Sequence, residues 1–100
     1  MRKIEDYAFI RQLKVLPFVE AIWLFGSRAR GTNAERSDID LAIVCPKANK
    51  EEWLIVEYII QEADTLLHID CVRFDKLAED DRLRQNILEQ KKILYERSKR

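Results

Sequence analysis

The amino-acid sequence predicts an α+β fold, a small mixed β-sheet with helices packed against it, in the order α-β-β-α-β-α. Short continuous apolar runs predict the sheet. Ala21-Ile22-Trp23-Leu24-Phe25 ends at Gly26 and the run from Ile39 to Cys45 ends at Pro46, as strands covered on both faces do, and a third such run lies from Leu67 to Phe74. Around them, apolar residues recur at the three- and four-residue spacing of helices buried along one face.

The first element, from about Ile4 to Leu16, sets Tyr7, Ala8, Ile10, Leu13 and Leu16 at helical spacing, and Pro17 punctuates it before the first strand, Ala21 to Phe25. The second strand, Ile39 to Cys45, is stopped by Pro46. Residues from about Lys50 to Ala63 then place Trp53, Leu54, Val56, Ile59, Ile60 and Ala63 on one face of a helix. The third strand, Leu67 to Phe74, precedes a last helix over roughly Glu79 to Glu89. Ile93-Leu94-Tyr95 reads equally as a continuation of that helix or as an edge strand.

With 100 residues and 47% hydrophobic content, residues 1–100 are expected to form a single domain with one core, small enough to lean on a partner. The 18 basic and 18 acidic side chains cancel, so no global field draws the chain to nucleic acid or to an anionic membrane. Arg28, Arg30 and Arg36 make the one local basic patch, and nucleic-acid binding is disfavoured. No apolar run approaches the roughly 18 residues of a membrane span, and Met1-Arg2-Lys3-Ile4-Glu5-Asp6 lacks the apolar core of a secretory signal. A cytoplasmic location is expected. Cys45 and Cys71, isolated in apolar segments, are expected to be buried free thiols.

Function is written around the two glycines. Both fall in Gly26-Ser27-Arg28-Ala29-Arg30-Gly31, and Ser37-Asp38-Ile39-Asp40-Leu41 follows. Glycine serves where backbone turns sharply or approaches a ligand closely. At the carboxyl end of a strand, the Gly26-Ser27 amides and the Ser27 hydroxyl can cradle a terminal phosphate, with Arg28 or Arg30 adding charge. Neighbouring arginines rarely point the same way, so one of the two is expected to reach the ligand.

Strand side chains alternate, so Asp38 and Asp40 share a face about 6.6 Å apart at a rise of roughly 3.3 Å per residue. Metal pairs that drive phosphoryl transfer sit about 3.5 to 4 Å apart and take carboxylates from more than one segment. Asp70 is the candidate third acid, because a charge inside the apolar strand Leu67-His68-Ile69-Asp70-Cys71-Val72 is costly and is expected to be buried for a reason. Oxygen ligands of this kind favour magnesium or manganese over zinc. His68 shares the face of Asp70 and either flanks the site or is merely packed.

This ordered set, Gly26-Ser27, then Asp38-Ile39-Asp40, then Asp70, resembles the DNA polymerase β-like nucleotidyltransferase superfamily over nearly the whole chain. It is most similar to the minimal nucleotidyltransferases, MNT proteins often paired with a separate all-helical protein of the HEPN or substrate-binding type. The resemblance implies that Gly26 and Ser27 hold a triphosphate, that Asp38, Asp40 and Asp70 bind two magnesium ions, and that a nucleoside monophosphate passes to an acceptor hydroxyl. It further implies AMP transfer from ATP, in some members onto a tyrosine of the helical partner toxin, with the transferase as antitoxin. Larger superfamily members carry a following helical domain that completes the site, and closure here is expected from another polypeptide.

Two other functions compete. A binding module could keep the fold and hold a helical partner without turnover, through apolar positions such as Trp53 or Tyr58. A stand-alone transferase acting on a small hydroxylated molecule is disfavoured, because 100 residues leave little chain to enclose it. The sequence leaves the base, the acceptor and the choice between homo- and hetero-oligomer open.

Overall fold

The computed structural model describes residues 3–34 and 36–97. Strands β1 (Ala21–Phe25), β2 (Ile39–Val44), β3 (Ile69–Arg73) and β4 (Lys92–Glu96) form one sheet in the spatial order β3-β2-β1-β4. β1 runs antiparallel to β2 and β4, whereas β2 and β3 are parallel. The sheet is mixed, as the sequence predicts. Helices α1 (Ala8–Lys14), α2 (Gly26–Arg30), α3 (Lys50–Gln61) and α4 (Arg82–Gln90) alternate with the strands.

Alternation along the strands divides the interior in two. Ile22, Leu24, Ile39, Leu41 and Ile43 face one way and join Phe9, Ile10 and Leu13 of α1 and Val56 of α3 in the larger cluster. Trp23 and Ala42 face the other way, under Phe74 and Ile87. Each fully buried side chain of this size contributes about 1.5–3 kcal/mol, so most of the hydrophobic stabilisation lies on the first face. The second face is more thinly covered. Arg84 lies over the Phe74 ring at 4.5 Å and Lys91 over the Trp23 ring at 3.9 Å, so cations finish what apolar groups leave open.

Five expectations are corrected. The first helix is shorter than Ile4 to Leu16: Ile4–Asp6 form a 3-10 turn, Tyr7 is extended, and α1 begins at Ala8. Its first amides are satisfied from afar, the Asp64 carboxylate accepting from Ala8 N–H at 3.0 Å and Phe9 N–H at 3.2 Å. The Gly26 to Gly31 stretch is not a bare turn but the five-residue α2, too short to show periodicity, ended by Gly31 at φ 74°. The third strand is trimmed to Ile69–Arg73, Phe74 entering a 3-10 turn. Residues 92–96 form an edge strand beside β1, so the order becomes α-β-α-β-α-β-α-β. Asp81 caps α4 through Leu83 N–H at 2.8 Å, which starts that helix at Arg82 rather than Glu79.

α3 is fixed by a reciprocal cap. Asn49 Oδ1 accepts from Glu52 N–H at 2.8 Å and Glu52 Oε1 from Asn49 N–H at 3.0 Å. Val56 is its buried centre, with Trp53, Ile59 and Ile60 partly covered. Leu54, expected on that face, points outward at 59% exposure beside Ile55 and Tyr58. Both cysteines are free thiols: Cys45 is buried and Cys71 partly so, and burial pushes them up to about 11 and about 12.

Arg73 ties three segments together. Its Nε donates to Asp75 Oδ2 at 2.9 Å, and its Nη2 donates to the carbonyls of Cys45 at 2.9 Å and Ala48 at 2.8 Å. Both charged side chains are nearly covered, at 12% and 11% exposure. Arg73→Ala is therefore expected to cost about 3 kcal/mol by stranding a covered carboxylate and two carbonyls, read as a fall in the urea midpoint.

Candidate active site

β1 ends under α2, and the hinge between them is Gly26. Phe25 pairs with Asp40 in the antiparallel ladder, so the residue that follows Phe25 turns over the Asp40 side chain. Gly26 has φ 73°, and a Cβ there would fall on the Asp40 carboxylate, with Asp40 Cγ at 3.1 Å. No other residue fits both conditions. Gly31, at φ 74°, has open space where its Cβ would stand.

Asp40 lies between Ile39 and Leu41, which face the larger cluster, so its own side chain projects from the thinly covered face. Asp70 is its direct partner in the parallel ladder and projects the same way. Asp38, just before β2, joins them. Ligand atoms of Asp38, His68 and Asp70 lie within 4.8 Å of one another, and His68 Nε2 is 3.5 Å from Asp70 Oδ1. Asp38 and Asp70 thus share one group of ligand atoms, and Asp40 stands beside it through its pairing with Asp70. His68, left from sequence between flanking the site and being merely packed, lies in the same group as Asp38 and Asp70.

Asp70 corrects one premise. It was expected to be buried, but its side chain is 63% exposed, because β3 is an edge strand and its second face is uncovered there. Asp40 carries an electrostatic cost. Burial, then the charges of Asp70 and Asp38, raise its pKa above the usual carboxylate value of 3.8, against the weaker opposing influence of His68 and Arg30. A carboxylate raised by like charges is relieved when a cation arrives between them. With hard oxygen donors from two adjacent strands, the cluster fits a divalent ion such as magnesium or manganese.

The arginines have distinct surroundings. Arg28 Nε and Nη2 both donate to the Ser37 carbonyl, at 3.1 and 2.8 Å. Arg30 Nη1 donates to Gln90 Oε1 at 3.0 Å, bridging α2 to α4. Ser27 lies in the first turn of α2, where its carbonyl accepts from Thr32 N–H at 3.0 Å.

A family model described as polymerase beta nucleotidyltransferase matches residues 9–100. The chain belongs to this family. No curated protein sequence matches it. Among solved structures, it is similar to a toxin-antitoxin crystallised with AMP-PNP, at 24% identity and a TM-score of 0.68, covering 95% of this chain and 75% of that one. The toxin-antitoxin MntA-HepT gives 23% identity and a TM-score of 0.57, covering 88% of this chain and 68% of that one. A nucleotidyltransferase-like protein from Sulfolobus solfataricus gives 21% and 0.56, covering 89% and 75%. These likenesses establish the nucleotidyltransferase fold. Among the described residues no helix is long and apolar enough to cross a membrane.

Proposed function

We propose that this family member is a magnesium-dependent nucleotidyltransferase that moves AMP from ATP to an acceptor hydroxyl on a helical partner protein of the HEPN type, as the antitoxin of a toxin-antitoxin pair. The grouping of Asp38 with Asp70, and the place of Asp40 between Asp70 and the Gly26 hinge, carry the reading. The toxin-antitoxin structures of like fold, one crystallised with AMP-PNP, support the nucleotide and the partner.

In this reading the three carboxylates would hold two magnesium ions, which would supply charge neutralisation for the triphosphate. The amides of the Gly26-Ser27 turn and the Ser27 hydroxyl receive the terminal phosphates, with Arg30 beside them. Asp70, exposed at the sheet edge where an acceptor can approach, takes the proton of the acceptor hydroxyl. The acceptor oxygen bonds to the α-phosphorus, the bond to the β-phosphate oxygen breaks, and pyrophosphate leaves.

A second reading, a binding module that holds a helical partner without turnover, has its own support. Leu54, Ile55 and Tyr58 stand outward on α3 at 59%, 45% and 64% exposure, on the side of the helix away from the core. One experiment separates the two. The chain is incubated with labelled ATP and magnesium, with and without a helical protein of the HEPN type, and the label is located by mass spectrometry. Label on the partner, expected on a tyrosine, supports transfer, whereas a stable unlabelled complex supports the module. Full activity on a small hydroxylated molecule without any partner would overturn both.

A further inference from the structure

We propose that Arg28 is a positioning residue: its guanidinium holds the Ser37–Asp38 peptide and so aims the Asp38 carboxylate at the cation, instead of gripping the triphosphate. The inference deepens the metal-dependent reading above and rests on it.

The three acids differ in what holds their backbone. Asp40 and Asp70 lie within β2 and β3, paired with each other in the ladder, and sheet hydrogen bonding fixes both. Asp38 lies outside. β2 begins at Ile39, whose N–H donates to the His68 carbonyl at 2.9 Å. On its other side the chain returns from an excursion beyond Gly31 that is closed on itself, Ser37 N–H donating to the Ala34 carbonyl at 3.1 Å and Ala34 N–H to Ser37 Oγ at 2.9 Å.

Arg28 ties that excursion to the body of the protein next to Asp38. Its Nε and Nη2 converge on the Ser37 carbonyl oxygen at 3.1 and 2.8 Å. That oxygen, the Asp38 nitrogen and the Asp38 Cα lie in one rigid peptide plane. Two donors from a planar guanidinium hold that oxygen from two directions, where an ammonium makes a single, less directed contact. Asp38 is thereby held between Arg28 on one side and the His68 carbonyl on the other. Because α2 begins at the Gly26 hinge over Asp40, one short helix registers two acids, Asp40 through Gly26 and Asp38 through Arg28. The Nε–Nη2 edge is engaged in this task, and Arg30 is the arginine of α2 whose charge is felt at Asp40.

The sign of one measurement separates positioning from charge. Deleting a cation beside acids tightens binding of another cation if charge alone matters. Deleting a support loosens it, by about 10-fold or more for groups that orient a metal ligand. Manganese binding to the nucleotide-free full chain is measured by electron paramagnetic resonance for the wild type, Arg28→Ala, Arg28→Lys and Arg30→Ala. The expected result is binding weakened about 10-fold by Arg28→Ala, less by Arg28→Lys, and not weakened by Arg30→Ala. In amide exchange, Ile39 N–H is expected to exchange faster in Arg28→Ala while the centre of β1 keeps its wild-type protection. In turnover, kcat falls with KM for ATP little changed.

Manganese binding by Arg28→Ala as tight as or tighter than wild type overturns the proposal. So does a raised KM with unchanged kcat, which makes Arg28 a phosphate ligand. If the wild-type chain takes up no manganese, the metal-dependent reading falls, and Ile39 exchange alone decides whether Arg28 holds the backbone at Asp38. Unchanged exchange overturns it.

Discussion

Gly26→Ala is expected to lower the melting temperature by more than about 10 °C and to abolish nucleotide transfer, whereas Gly31→Ala costs far less. Both glycines have positive φ, 73° and 74°, so alanine at either carries a backbone cost of about 1–2 kcal/mol. Only at Gly26 does the added methyl meet another group, the Asp40 carboxylate. Either α2 lifts from the sheet or Asp40 turns away, adding an overpacking cost of about 1–3 kcal/mol and displacing an acid of the cluster. Thermal melts and labelled-ATP transfer on the two variants check this. Equal losses at both positions would show that the contact with Asp40 does not matter.

Asp40→Asn is expected to reduce transfer by about 10³-fold, equivalent to about 4 kcal/mol, while leaving the metal-free protein as stable as wild type or more so. The folded state raises the Asp40 pKa through burial and the charges of Asp70 and Asp38, so the folded chain holds that proton more tightly than the unfolded chain does. This contribution to stability is fully present below the unfolded value near 3.8 and is lost as pH rises through the raised folded value. Asparagine avoids the loss. The gain in metal-free melting temperature should therefore be absent in acid, appear as pH rises from 3.8 through the raised value and level off above it at a few degrees. Magnesium should reverse the order, stabilising wild type more than the variant. A large metal-free drop in Asp40→Asn would recast this acid as structural.

The motif was legible because it is local. Gly26, Asp38 and Asp40 fall within fifteen residues of sequence, and strand alternation alone puts the two acids on one face. Asp70 was legible in identity but not in environment. An acid among apolar neighbours looks buried until the strand order is known, and the sheet places β3 at an edge. The start of α1 was hidden for the opposite reason, since its cap is Asp64, more than fifty residues away. α2 is too short to have a period, and β4 is recognisable as a strand only through its pairing with β1. Arg28 and Arg30 were equal candidates for the phosphate because a basic residue in a glycine turn invites that role, and the bonds from Arg28 to the Ser37 carbonyl appear only once the chain has doubled back.

That remote cap has a bearing on how the chain acquires its shape during synthesis. α1 spans seven residues, well short of what holds together in water unaided, and its leading amides wait for the Asp64 carboxylate. α1, although synthesised before them, therefore settles only after α3 and the turn beyond it have been made. β1 waits longer still for one of its neighbours, because β4 lies at residues 92–96. Such an order would run from the middle outward, with α1 and β4 docking last upon a β2–α3–β3 unit that contains Asp40 and Asp70.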